Sequence, residues 1–239
     1  MQAVIVAGGL ATRLGPLTRE TPKAMLSFGG RPFLAHQLDL LRGQEVRDVV
    51  VCIGHLGEQI VDHFGDGGPF GVRLRYSRDE QLGTGGALRC ALPLLVDRFF
   101  VTWGDSYVPA DLRAAWSLFA RSEAGGLVVV HENHDRYDRS NIALDGPYVA
   151  AYDKQRTSGR VLTHIDAGIS ILPRAAVAAI LPDRVASLEQ EIFSPLARAR
   201  RLLAFETRDR FYEIGSLAGI EDFRVYLAGR SAKVEAARA

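Results

Sequence analysis

At 239 residues the chain is long for one average domain, yet α/β folds of this size often stay single, and 47% hydrophobic residues can bury a sizeable core. With 29 basic and 28 acidic side chains the formal charge is +1, which leaves no electrostatic footprint for nucleic acid. Cys52 and Cys90 belong to no Cys-x-x-Cys pair and read as buried, reduced thiols of a cytoplasmic protein. The apolar start lacks a basic leader and breaks at Gly8, so no signal peptide is expected. No run approaches membrane-spanning length, and no membrane partner is expected.

Ala3 to Val6 reads as a buried strand. It runs into AGGLATRLGPLTRETPK, Ala7 to Lys23, around which the chain is organised. Glycines at a strand's end let backbone N–H groups approach a ligand, and successive N–H groups form an anion-binding concavity. Arg13 and Lys23 add side-chain cations, while Pro16 and Pro22 stiffen the loop. A polyphosphate suits such a loop, because charge and backbone donors act together. The P-loop pattern Gly-x-x-x-x-Gly-Lys-[Ser/Thr] is absent, and Gly8 to Arg13 does not fit the dinucleotide fingerprint Gly-x-Gly-x-x-Gly.

The stretch resembles the signature of the sugar-1-phosphate nucleotidyltransferases, Gly-Gly-x-x-Thr-Arg-Leu-x-Pro-Leu-Thr-x-x-x-Pro-Lys. Gly8, Gly9, Thr12, Arg13, Leu14, Pro16, Leu17, Thr18, Pro22 and Lys23 all match it. The resemblance implies that Ala7, Gly8, Gly9, Thr12 and Arg13 bind a nucleotide, and that Arg13 and Lys23 act in catalysis.

Farther on, Phe33, Leu34, Gln37, Leu38 and Leu41 recur at helical spacing and predict a helix ending before Gly43. Asp48 to Ile53 is a continuous apolar run, as expected of a strand covered on both faces. A helix over His55 to Phe64 and a strand over Val72 to Tyr76 follow. This alternation predicts a right-handed, doubly wound α/β layer structure. Gly83, Gly85 and Gly86 precede or open the next helix, whose N-terminus would offer unpaired N–H groups. The family carries a base-reading Gln-Leu-Gly-Thr-Gly segment here, which implies nucleotide contacts from Gln81, Gly83 and Thr84.

Phe99 to Trp103 reads as a buried strand ended by Gly104-Asp105. A carboxylate at the carboxyl end of such a strand suits a divalent cation. The resemblance makes Asp105 a catalytic magnesium ligand. A helix is expected over Asp111 to Ala120 and a strand over Gly126 to His131. His131 to Asp135 holds two histidines and two carboxylates, but no zinc site is expected in this loop. Asp145-Gly146 between Asn141 to Leu144 and Tyr148 to Tyr152 signals a hairpin.

By resemblance, Lys154 binds the sugar phosphate, with Asn141, Asp166 and Gly168 on the sugar side. Asp153 stands where Glu is usual, and Asp166 where Asn is common. Ile169 to Leu172 and Leu203 to Glu206 read as strands, and Arg174 to Ile180 as a helix. Ser187 with Gln190 suggests a capping box for another helix. Glu213 stands where the family has its second metal ligand, usually Asp. A closing helix is expected over Leu217 to Leu227.

The expected fold is a single Rossmann-like α/β domain, a doubly wound mixed sheet with a small β-hairpin insertion over the sugar site. Residues 1–228 would form the nucleotidyltransferase domain and 229–239 a frayed tail. The implied reaction joins an NTP to a sugar 1-phosphate with magnesium on Asp105 and Glu213, and a homo-oligomer is left open. The short form without a hexapeptide-repeat extension, with its Leu82-to-Leu88 segment, looks most like the guanylyltransferases acting on heptose or mannose 1-phosphate. Gln81 equally fits uridylyl or thymidylyl transfer, and a non-catalytic nucleotide-sugar sensor is the competing class.

Overall fold

The computed structural model describes residues 1–9, 12–79 and 81–236, giving only the backbone for 12, 13 and 231–236. Its frame is a nine-stranded sheet. In chain order its elements begin with β1 (Gln2–Val6), the short pair β2 (Ser27–Phe28) and β3 (Arg31–Pro32), α1 (Phe33–Gly43), β4 (Asp48–Ile53), α2 (Gly57–Phe64) and β5 (Arg73–Arg78). There follow α3 (Gly83–Ala91), β6 (Arg98–Trp103), β7 (Ser106–Tyr107), α4 (Leu112–Ala120), β8 (Gly126–Glu132), β9 (Ile142–Asp145) and β10 (Tyr148–Tyr152). The chain continues through β11 (His164–Pro173), α5 (Arg174–Ala178), α6 (Ser194–Arg198), β12 (Leu202–Thr207), β13 (Tyr212–Glu213) and α7 (Leu217–Ala236).

The strand order is β5-β4-β1-β6-β11-β8-β12-β10-β9. β5, β4, β1 and β6 are parallel, β11 is antiparallel to its neighbours β6 and β8, and β12 is parallel to β8. From β1 the chain winds outward to β4 and β5, then returns to add β6 on the other side of β1. The order therefore reverses between β1 and β6, where the loops after both strands diverge and leave a crevice.

Successive residues of the central strands alternate between two apolar layers, because side chains on a strand point to opposite faces. Ala3 and Ile5 of β1 and Val49, Val51 and Ile53 of β4 join α1, α2 and α4 on one face. Val4, Val50 and Cys52 face the other way, onto α3, α5 and the segment from Leu188 to Ala197. The sheet is mixed and covered on both faces, as expected. A third cluster, Leu14, Phe28, Phe33, Tyr107, Ile214, Ile220 and Phe223, ties α7 to the β7–β13 pair.

Several local expectations need correction. Ser187 makes no side-chain cap; the turn is a π-helix, Glu189–Phe193, and the Leu188 N–H is held by the Thr84 hydroxyl at 2.9 Å. β11 begins at His164 rather than Ile169, and α7 runs past Leu227 to Ala236. Cys52 is buried, and burial pushes its thiol up, but Cys90 is exposed on α3. The residues between His131 and Asp135 are used structurally: His131 meets the Thr207 carbonyl, His134 pairs with Glu132, and Asp135 pairs with Arg156.

Asp111 caps α4 by accepting the Ala114 N–H at 2.9 Å. Asp111→Ala is expected to cost about 1 kcal/mol, lowering the melting temperature by roughly 2–4 °C. An unchanged calorimetric melt would show that this cap contributes nothing.

Candidate active site

The β1–β6 crevice opens into a cavity of about 520 Å³. Its walls bring together Ala7, Gly9, Lys23, Thr84, Asp105, Asn141, Lys154, Asp166 and Glu213, all singled out in the sequence. The backbones here are close because glycine permits it. A Cβ on Gly104 would lie 2.7 Å from the Ala7 Cβ, and one on Gly54 would lie 2.6 Å from the Gly8 carbonyl oxygen. The ends of β1, β4 and β6 thus touch without side chains between them.

Asp105 follows β6 in the turn to β7. β7 pairs with β13, setting Ser106 opposite Glu213, and the Ile214 N–H donates to the Asp105 carbonyl at 2.9 Å. One rung of this ladder therefore places the two acids side by side. Burial, and then the facing charge of Asp105, push the Glu213 carboxyl up to about 7, with Asp138 and Asp166 adding to it. Among the described residues, the Lys23 ammonium pairs with Asp105 at 2.8 Å. Among the described residues no group of three or more His, Cys, Asp and Glu side chains is placed to hold a metal. A cation on Asp105 and Glu213 would draw its other ligands from substrate and water.

On the sugar side of the expected site, the Lys154 ammonium is paired with Glu189. Burial alone would lower the Lys154 ammonium, but the Glu189 carboxylate outweighs it and holds the group above its ordinary value. Asp166 is tied into the wall: its carboxylate accepts the Tyr152 hydroxyl at 2.6 Å and the Gly168 N–H at 2.8 Å. Its own N–H donates to the Asn141 side-chain oxygen at 3.0 Å. Burial raises the Asp166 carboxyl in spite of these bonds.

Of the other described candidates, Gly8, Gln81, Gly83 and Gly168 do not line this cavity. The side chains of Thr12 and Arg13 fall outside the described residues. Gly8 packs on Asp79 and Gly54. Gly83, at φ +72°, approaches the Ala186 carbonyl, and Gly168, at φ +98°, lies against Ser106. Gln81 is exposed, with φ 60°. Glu189, Asp138, Arg139 and Trp103 line the cavity and were not singled out. For Glu189 the only sequence signal is its place with Glu191 at a helix start, since nothing there announces a π-turn. Trp103 read as core because it ends an apolar run.

The curated relatives carry nucleotidyltransferase names. A heptose 1-phosphate guanylyltransferase of Campylobacter jejuni is 34% identical over 113 residues, 47% of this chain and 51% of that protein. A mannose-1-phosphate guanyltransferase of Candida albicans is 28% identical over 222 residues, 90% of this chain and 61% of that protein. An N-acetylmuramate α-1-phosphate uridylyltransferase of Neisseria meningitidis is 38% identical over 119 residues, 48% of this chain and 52% of that protein. The chain thus spans between half and two thirds of the length of these relatives. Among solved structures, HddC from Yersinia pseudotuberculosis complexed with GMP-PN superposes with a TM-score of 0.79 at 24% identity, covering 95% of this chain and 99% of that one. The fold is therefore that of the sugar-phosphate nucleotidyltransferases. Residues 3–210 match the MobA-like NTP transferase domain, and with that match spanning most of the chain, the protein belongs to the MobA-like NTP transferase family.

Proposed function

We propose that the chain joins an NTP to a sugar 1-phosphate, releasing pyrophosphate and a nucleotide-sugar, with GTP and a heptose or mannose 1-phosphate as substrates. The observation that carries this reading is one cleft, at the sheet's switch point, lined by Lys23, Asp105, Lys154 and Glu213. The guanylyltransferase names of the Campylobacter and Candida relatives support the choice of base and sugar. The free thiols of Cys52 and Cys90 support a cytoplasmic setting.

In this reaction a sugar-phosphate oxygen bonds to the α-phosphorus as the bond from that phosphorus to the departing pyrophosphate breaks. No protein nucleophile is needed, so the residues position the reactants and neutralise charge. Lys154 binds the sugar phosphate, Lys23 the α-phosphate and incoming oxygen, and Arg13 the leaving pyrophosphate. Asp105 and Glu213 fit a magnesium ion, which takes one or two carboxylates alongside phosphate oxygens and water. When bound, such an ion supplies charge neutralisation at the reacting phosphates. The β9–β10 hairpin would cover the sugar, since Asn141 before it and Lys154 after it both line the cleft. Residues 1–228 are taken as one catalytic unit around the shared sheet.

The test is pyrophosphate release from GTP, UTP, CTP and TTP, each with a panel of sugar 1-phosphates. GTP with a heptose or mannose 1-phosphate is expected to give the highest kcat/KM. A preference for UTP or TTP would overturn the base, and no release with any pair would leave a non-catalytic binding protein. Lys154→Ala is expected mainly to raise KM for the sugar 1-phosphate, because that lysine contacts the ground-state phosphate. Lys23→Ala is expected chiefly to lower kcat, because charge builds beside it during transfer. Equal losses in both parameters for both variants would refute this division.

A further inference from the structure

Gln37 sits on α1, at a helical position that the apolar spacing assigns to the core, and it is 3% exposed. Its side-chain amide donates to the Trp103 carbonyl at 2.8 Å and to the Ser106 carbonyl at 2.7 Å. Those residues bracket Gly104-Asp105. Two carbonyl oxygens can be answered only by an NH2 group, so the orientation of the amide is fixed by its partners. Among the described residues the buried amide oxygen has no hydrogen-bond partner. A buried unpaired oxygen is costly, and an aliphatic side chain would fill this position without it. The two donors are what glutamine adds here.

The rest of the turn is held as closely. The Gly104 N–H donates to the Val6 carbonyl at 2.8 Å, and the Asp105 carbonyl accepts the Ile214 N–H at 2.9 Å. Ser106, whose carbonyl Gln37 holds, is also the residue paired with Glu213. Gln37 therefore grips both ends of the segment that carries Asp105 and the strand that aligns Asp105 with Glu213.

We propose that Gln37 is a positioning residue for divalent-cation binding: from the core face of α1 it sets the backbone of the Trp103–Ser106 turn and thereby the placing of the Asp105 carboxylate relative to Glu213. The inference rests on the reading of those two acids as the cation's protein ligands. Groups that orient metal ligands from behind typically change metal affinity about 10–100-fold when removed.

The test uses the full chain and Mn2+ alone as probe, with binding followed by electron paramagnetic resonance and folding by thermal melts. The variants are Gln37→Met, which keeps length without a donor, Gln37→Glu, which keeps shape and gives up at least one donor, and Asp105→Asn. Gln37→Met is expected to weaken Mn2+ binding at least about tenfold. It should raise the magnesium concentration for half-maximal turnover by a similar factor, with KM for the sugar 1-phosphate unchanged and turnover largely recovered at high magnesium. Asp105→Asn should bind Mn2+ more weakly still. Wild-type Mn2+ affinity in Gln37→Met, alongside a lowered melt, would make Gln37 a structural residue only and overturn the proposal. Wild-type Mn2+ affinity in Asp105→Asn would instead overturn the underlying metal reading, and the proposal with it. If Gln37→Met does not fold, Gln37→Glu decides by the same criteria.

Discussion

Asp105→Asn is expected to reduce pyrophosphate release about a thousandfold, equivalent to about 4 kcal/mol of transition-state stabilisation. The substitution keeps the side chain's shape and removes its charge, so the loss falls on cation binding and not on packing. Stability should change little. The Lys23–Asp105 pair is partly solvated, with side chains 16% and 26% exposed, and pairs of that kind contribute about 0–1 kcal/mol. Against that small loss, Glu213 is freed from a like charge that helps push its carboxyl up to about 7. The melting temperature is therefore expected to hold or rise while turnover collapses. Turnover within tenfold of the parent would remove Asp105 from the reaction.

Phe223→Ala is expected to cost about 3–5 kcal/mol, the range for emptying a fully buried aromatic position. The Phe223 ring is completely buried, with its centroid 4.9 Å from Phe33, 5.0 Å from Phe28 and 5.1 Å from Tyr107. The melting temperature should fall by roughly 10 °C for a chain of this size. Phe223 also fastens α7 against the strand pair that carries Glu213, so activity should decline below the melting transition as well. A loss under about 1 kcal/mol would mean that α7 is not anchored through this ring.

The central strands were legible because burial on both faces demands continuous apolar runs, and Asp48 to Ile53 is such a run. The crevice was legible through the glycines after β1 and the Gly104-Asp105 step after β6 once the resemblance was joined to them, since each alone also suits an ordinary strand end. Side chains whose role depends on distant partners were not legible. Tyr152 looks like any strand aromatic until its hydroxyl meets Asp166, and Glu189 reaches Lys154 from a π-turn that no periodicity announces. Gly83 and Gly168 were picked out by resemblance, and the packing need they also serve, room for the Ala186 carbonyl in one case and for Ser106 in the other, was not legible. Capping was not legible: Asp111 caps a helix for which only the extent was expected, and at the turn expected to be capped by Ser187 it is Thr84, from α3, that holds the Leu188 N–H.

Both described lysines of the cleft already hold a carboxylate, Lys23 on Asp105 and Lys154 on Glu189. An anion that engages either of these two lysines must therefore share it with, or take it from, a carboxylate. Because both pairs are partly solvated, loosening either is expected to cost only about 0–1 kcal/mol. On the proposed reading, a nucleotide carrying its own divalent cation would free Lys23 and compensate Asp105 together. The two described lysines of the cleft are thus in balance with their carboxylates before any ligand enters, and on the proposed reading a ligand that brings cation and anion together would disturb that balance least.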